Sequence, residues 1–70
     1  MDSCDEILQY FTYTHLPVKL QEISKQFCHL AEEMVSQLPH NAELTVGLRK
    51  LLEAKDCFVR ARLYYEDKEV

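Results

Sequence analysis

The stretch that decides the fold is Pro17-Val18-Lys19-Leu20-Gln21-Glu22-Ile23-Ser24-Lys25-Gln26-Phe27-Cys28-His29-Leu30-Ala31-Glu32-Glu33-Met34-Val35-Ser36-Gln37-Leu38. Counting from Leu16, apolar side chains recur at Leu20, Ile23, Phe27, Leu30, Met34 and Leu38, in steps of four and three. Such steps return to one face of a 3.6-residue helix, whereas a strand alternates every second residue. Cys28, Ala31 and Val35 form a second stripe beside the first. The spacing therefore predicts a helix over 17–38, roughly 31 Å long at ~1.5 Å per residue. Pro17 suits its first position, where a missing N–H costs nothing.

Leu38-Pro39-His40-Asn41 breaks this helix, and Asn41 is a good N-cap for another. Glu43 stands in the first turn, at the positive end of the helix dipole. Leu44, Leu48, Leu51 and Phe58 make the main stripe of a second helix over 42–64. Leu52 and Val59 lie beside it, and Ala54 and Ala61 widen the arc. The short connection makes the two helices antiparallel. Gly47 costs ~1 kcal/mol relative to alanine inside a helix. A close backbone approach, within the hairpin or between chains, accounts for it, and so does a neutral change.

Ahead of the pair, Asp5 to Phe11 reads as a short amphipathic helix carrying Ile7, Leu8 and Phe11. Tyr10-Phe11-Thr12-Tyr13-Thr14-His15 is rich in aromatic and β-branched residues, which favour an extended segment. Residues 65–70 are mostly charged and are expected to fray. The expected fold class is all-α: one domain over 1–70, an antiparallel two-helix hairpin with an extended or short-helical segment at 1–16. Two such helices bury one seam. Their wider apolar arcs call for another copy of the chain or a different partner.

Composition narrows the function. A chain of 70 residues supplies a lone core worth only a few kcal/mol and has little room for an enclosed catalytic site. One glycine leaves no phosphate-cradling Gly-rich loop. The hydrophobic fraction of 47% is too high for a disordered chain. No apolar run approaches the ~20 residues that span a bilayer, and the acidic start is unlike a signal peptide, so the expected location is cytoplasmic. Three widely spaced cysteines do not make a disulfide framework. Cys28 and Cys57 read as small buried hydrophobes, and the adjacent Cys28-His29 pair points in divergent directions, so no metal or other cofactor is expected. Glu32 and Glu33 diverge likewise and read as a solvated face, not an acid–base pair.

The net charge of -4 argues against DNA as a partner. The charge is uneven, however. Residues 1–38 carry six acidic against two basic side chains, and residues 39–62 carry three against five. The basic part reads either as a solvated helix face with i,i+4 pairs or as a small anion site.

The order Phe11-Thr12-Tyr13-Thr14-His15-Leu16-Pro17, then Leu30-Ala31, then Leu38-Pro39-His40-Asn41-Ala42-Glu43, then Leu48-Arg49-Lys50-Leu51-Leu52-Glu53-Ala54-Lys55-Asp56 and Val59-Arg60-Ala61 is specific in combination. It resembles the phage helical-hairpin family that includes anti-CBASS cyclic-nucleotide sponges and related anti-Thoeris sponges, over about residues 11–62. The resemblance implies two antiparallel helices assembled into a homo-hexamer. It implies an activity without chemistry: cyclic oligonucleotide messengers are held away from their effectors at sites between protomers, in the cytoplasm of an infected bacterium. It further implies that Tyr13 packs on a base. Lys25 is the basic residue nearest the family's phosphate contact, with Ser24 at the aligned position, and Arg60 stands near a second ligand site. Family members often have histidine directly after the tyrosine; here Thr14 intervenes before His15.

Cyclic dinucleotides and trinucleotides offer flat bases and negative phosphates, so their recognition needs aromatic platforms and cations. Tyr10, Tyr13 and His15 lie just before the first helix, Ser24 and Lys25 on it, and Arg60 on the second. Each has a plainer reading: Tyr10 and Phe11 cover the hairpin's end, Lys25 is a solvated charge, and Arg60 is an inter-helix ion pair. The rival expectation is a helical interaction module that binds a host or phage protein through its surplus apolar face.

Overall fold

The computed structural model describes residues 3–68, and side chains through Leu63. Among these residues the chain is all-helical, with no strand. Three α-helices, α1 (Ser3–Leu8), α2 (Val18–Gln37) and α3 (Ala42–Lys68), are joined by a 3-10 turn at Gln9–Phe11 and two short connections.

Local chemistry sets the ends of α2. Pro17 stands one residue earlier than expected, as the N-cap, with φ -55° and ψ 150°. Its carbonyl accepts from the N–H groups of Leu20 and Gln21 at 2.9 and 3.0 Å. At the other end Leu38 is extended, with φ -114° and ψ 153°. Pro39 requires this, because a residue before proline is pushed out of the helical region. The Leu38 N–H still closes onto Met34, and a ring nitrogen of His40 lies 3.0 Å from the Val35 carbonyl. Helix α3 then starts where Asn41 caps it: the Asn41 side-chain oxygen accepts from the Leu44 N–H at 3.0 Å.

Two contacts fix how α2 and α3 pass each other. The rings of Phe27 and Phe58 stack at 5.6 Å, and Arg62 reaches Glu22 at 3.5 Å. Position rises along one helix as it falls along the other, so they run in opposite directions.

The N-terminal segment is helical, as the short amphipathic helix expected over Asp5 to Phe11 has it; the extended alternative does not hold for Tyr10 and Phe11, which belong to the 3-10 turn. Helix α1 starts at Ser3, earlier than Asp5. Cys4, Ile7 and Phe11 follow helical spacing and pack as a third layer on Cys28 and Ala31 of α2 and Leu44 and Leu48 of α3. Phe11 is fully buried and is the largest such side chain. The physical reason is that Cys4, read only as a thiol, acts as the first apolar residue of the stripe. Helix α3 continues through Lys68, so 65–68 are helical where fraying was expected; no glycine or proline interrupts them. Residues 69 and 70 lie outside the described residues.

Cys57 is exposed, contrary to the expectation that it is buried, while Cys4 and Cys28 are buried. At 100° per residue it projects far from the Leu48 side of α3. Gly47 sees no close backbone within the chain: a Cβ there would meet nothing within 4 Å. The radius of gyration is 13.3 Å, against about 11 Å for a compact domain of this length. No helix among the described residues is long and apolar enough to cross a membrane.

Replacing Phe11 by alanine should remove most of the stability, since truncating a buried phenylalanine costs ~3–5 kcal/mol. Asn41→Ala should cost ~1 kcal/mol through the lost cap. Urea denaturation followed by circular dichroism measures both. Equal, small effects would contradict the buried role of Phe11.

Candidate functional site

The strongest cluster of binding chemistry is a groove of ≈ 250 Å³ between the N-terminal segment and α3, lined by Tyr10, Thr12, His15, Lys55, Asp56 and Arg60 among others. The 3-10 turn presents Tyr10, which is 59% exposed, while the next residue, Phe11, is buried. The turn after Tyr13, closed by the Leu16 N–H on the Tyr13 carbonyl at 3.0 Å, carries His15. The side-chain amide of Gln21 holds that turn onto α2, donating to the Leu16 carbonyl at 2.7 Å and to the Thr14 carbonyl at 3.3 Å.

Lys55 forms the floor and is only 9% exposed. Its ammonium donates to the Tyr10 carbonyl at 3.0 Å, sits 3.5 Å from Asp56 and lies 5.9 Å from the centre of the Phe11 ring. Burial of an ammonium is costly unless it is paired and hydrogen-bonded, and these three contacts supply that. Arg60 is exposed, with its guanidinium donating to the Cys57 sulfur at 3.4 Å. Lys55, Arg60 and His15 share the groove with one carboxylate, Asp56, in a chain whose net charge is negative.

The six residues named from the sequence fall into three places. Tyr10, His15 and Arg60 line this groove together. Lys25 lines another, with Gln21, Glu22 and His29, and Tyr13, half-buried, meets His29 edge to face at 6.4 Å. Ser24 reaches neither. It is fully buried, and its hydroxyl has no hydrogen-bond partner among the described residues. At 100° per residue Ser24 falls on the packed side of α2 and Lys25 on the outer side. Sequence reasoning missed Lys55 as a site residue. Its signal was its place one turn before Val59 on the buried side of α3.

The groove brings together a flat aromatic edge, one buried cation, one exposed cation and a carboxylate, the first three of which are the chemistry a base next to a phosphate calls for. Among the described residues no group of three or more metal-ligating side chains forms. Burial pushes the Cys28 thiol above its ordinary range, and the neighbouring Glu32 carboxylate, accepting its hydrogen bond at 3.6 Å, pushes it further, while Lys55 pulls the other way. Cys28 is therefore an unreactive thiol. Compared with family models, curated proteins and solved structures, the chain finds no match in any of the three.

In the native protein a chromogenic disulfide reagent should titrate Cys57 quickly and reach Cys4 and Cys28 only after denaturation. The folded state raises the Cys28 pKa, so the stability it contributes is full at neutral pH and is lost as pH rises through that raised value. Urea midpoints should thus fall more between pH 8 and pH ~10.5 in the parent than in Cys28→Ala. Equal falls would contradict the buried, carboxylate-facing placement of Cys28.

Proposed function

We propose that the chain is a phage immune-evasion protein. In this reading it binds cyclic oligonucleotide second messengers and holds them without hydrolysis, working as a self-assembled oligomer in the infected bacterium. The observation that carries the reading is the groove that gathers Tyr10, His15 and Arg60, three residues named from the sequence, around the buried Lys55. The family resemblance supplies the ligand class, and the groove supplies the chemistry that class needs.

Size supports the assembly. At ≈ 250 Å³ the groove falls below the ~300–1,000 Å³ of pockets that enclose small ligands. It accommodates one nucleotide's base and phosphate, so the rest of a cyclic dinucleotide or trinucleotide requires a surface from another copy. Tyr13, His29 and Lys25 form a second set with an aromatic ring and a cation on the same chain. In a homo-hexamer, this set from one protomer is available to the Tyr10 groove of the next. The reading assigns no chemical step to either set: the ligand is held, not cleaved.

One observation favours a second reading. An apolar groove of ≈ 490 Å³ between Leu30 and Met34 of α2, Leu38 just after it, and Leu44, Gly47 and Leu51 of α3 suits a helix of another protein. A helical interaction module of that kind has no nucleotide affinity.

Isothermal titration should show stoichiometric binding of a cyclic dinucleotide or trinucleotide, with intact ligand recovered on denaturation. Tyr10→Ala should lose ~1–3 kcal/mol of stacking, which is about a tenfold to hundredfold weaker Kd. Arg60→Ala should weaken binding and flatten its salt dependence. Recovery of linear product points instead to an enzyme. Absence of binding across a thermal-shift panel of cyclic nucleotides leaves the interaction-module reading in its place.

A further inference from the structure

Asp56 is the group in the Tyr10 groove that a phosphate does not call for. A carboxylate beside Lys55 and Arg60 repels an anion and cancels one of two positive charges. Its placement is loose for a counter-ion. The Asp56 Oδ1 lies 3.5 Å from the Lys55 ammonium, while the Tyr10 carbonyl, at 3.0 Å, is the closer partner. Arg60, one turn further along α3, is the ordinary i,i+4 partner of an aspartate. Its guanidinium donates instead to the Cys57 sulfur at 3.4 Å. The Asp56 side chain is 52% exposed, and a carboxylate has about four lone-pair positions, so most of its acceptor capacity is open to the groove.

The surroundings indicate what would use that capacity. The Lys55 contact anchors the Tyr10 backbone to α3. A base stacked on the Tyr10 ring therefore has α3 beside it, and Asp56 is the acceptor on that wall. An ionised carboxylate only accepts. Guanine carries N1–H and an N2 amino group side by side, two donors for two oxygens. Adenine and cytosine each put a ring-nitrogen acceptor beside the amino group, and the N3–H of uracil lies between two carbonyl oxygens. Those bases set a lone pair against the carboxylate, which is how an unpaired acceptor rejects a wrong ligand. Charge fits as well. Lys55 and Arg60 less Asp56 leave one positive charge, the match of one phosphodiester. The Lys55 ammonium has three donors, and one remains for that phosphate after the Tyr10 carbonyl and Asp56.

We propose that Asp56 selects the base: it accepts from N1–H and the N2 amino group of a guanine stacked on Tyr10, while Lys55 and Arg60 take the adjoining phosphodiester. The inference rests on the reading of the groove as a cyclic oligonucleotide site and deepens it by naming the base.

The test is isothermal titration of the full chain with cyclic di-GMP, cyclic di-IMP and cyclic di-AMP, which share one ring and two phosphates and differ in the base. Cyclic di-IMP keeps N1–H and lacks the amino group. The parent should bind cyclic di-GMP about tenfold to hundredfold more tightly than cyclic di-AMP, as one good bidentate pair allows, with cyclic di-IMP between them. Asp56→Asn, checked for fold by circular dichroism, should lose most of that preference, and its affinity for cyclic di-AMP should hold or rise as a negative charge leaves the groove. A carboxylate that serves only as the counter-ion of Lys55 would instead let Asp56→Asn tighten all three ligands alike, which overturns the inference. A parent that binds the guanine and adenine rings equally, or prefers adenine, overturns it too. In each of those results the groove still binds cyclic dinucleotides and the reading above stands. If none of the three binds, that reading falls and the inference falls with it.

Discussion

The burial of Phe11 is the constraint on which the rest of the structure depends. Two helices of 20 and 27 residues share one seam, and such a seam leaves most of each apolar arc uncovered. Phe11 enters as a third side, fully excluded from solvent, and full burial of such a ring contributes about 3 kcal/mol. In a domain whose entire margin is a few kcal/mol, that is a large share. Its burial also determines where the neighbouring residues go. Cys4 and Ile7 are drawn onto α2 and α3, and Tyr10, one residue before, is turned outward.

Lys55 is the polar counterpart of Phe11. It stands on the buried side of α3, where an aliphatic residue would pack equally well. An aliphatic residue would leave the Tyr10 carbonyl without its donor at the point where the 3-10 turn meets α3. The ammonium satisfies that carbonyl, lies near the Phe11 ring and keeps a carboxylate within 3.5 Å. Its four methylenes fill core space while the charged end reaches the groove. One side chain thus ties down the N-terminal segment and gives the groove a positive floor.

The two long helices were legible because their signals are local: apolar steps of three and four, Pro17, Pro39 and Asn41. The third layer was legible only as a short helix carrying Ile7, Leu8 and Phe11; its start before Asp5, at a buried cysteine, and its packing on both long helices were not. Burial of Phe11 also overrode the strand-like propensity of the aromatic run at Tyr10 and Phe11. The candidate site was legible in part. Tyr10, His15 and Arg60 converge, but nothing local announces that Lys55 on α3 meets a residue 45 positions earlier in the chain. Ser24 and Lys25, adjacent in sequence, separate to the inside and outside of α2, because neighbours on a helix point 100° apart. The surplus of apolar arc was legible, although the share of it taken by α1 was not.

That partial covering sorts the residues of α3. Lys55, Asp56, Val59 and Arg60 turn toward the N-terminal segment and its groove. Phe58 and Ala61 turn toward α2, where they line a groove with Ile23 and Phe27. Arg60 and Ala61 are adjacent in the chain, yet at 100° per residue they serve different sides of the helix. The apolar surplus and the polar groove are therefore separate surfaces of one helix, and a change on one of them leaves the other in place.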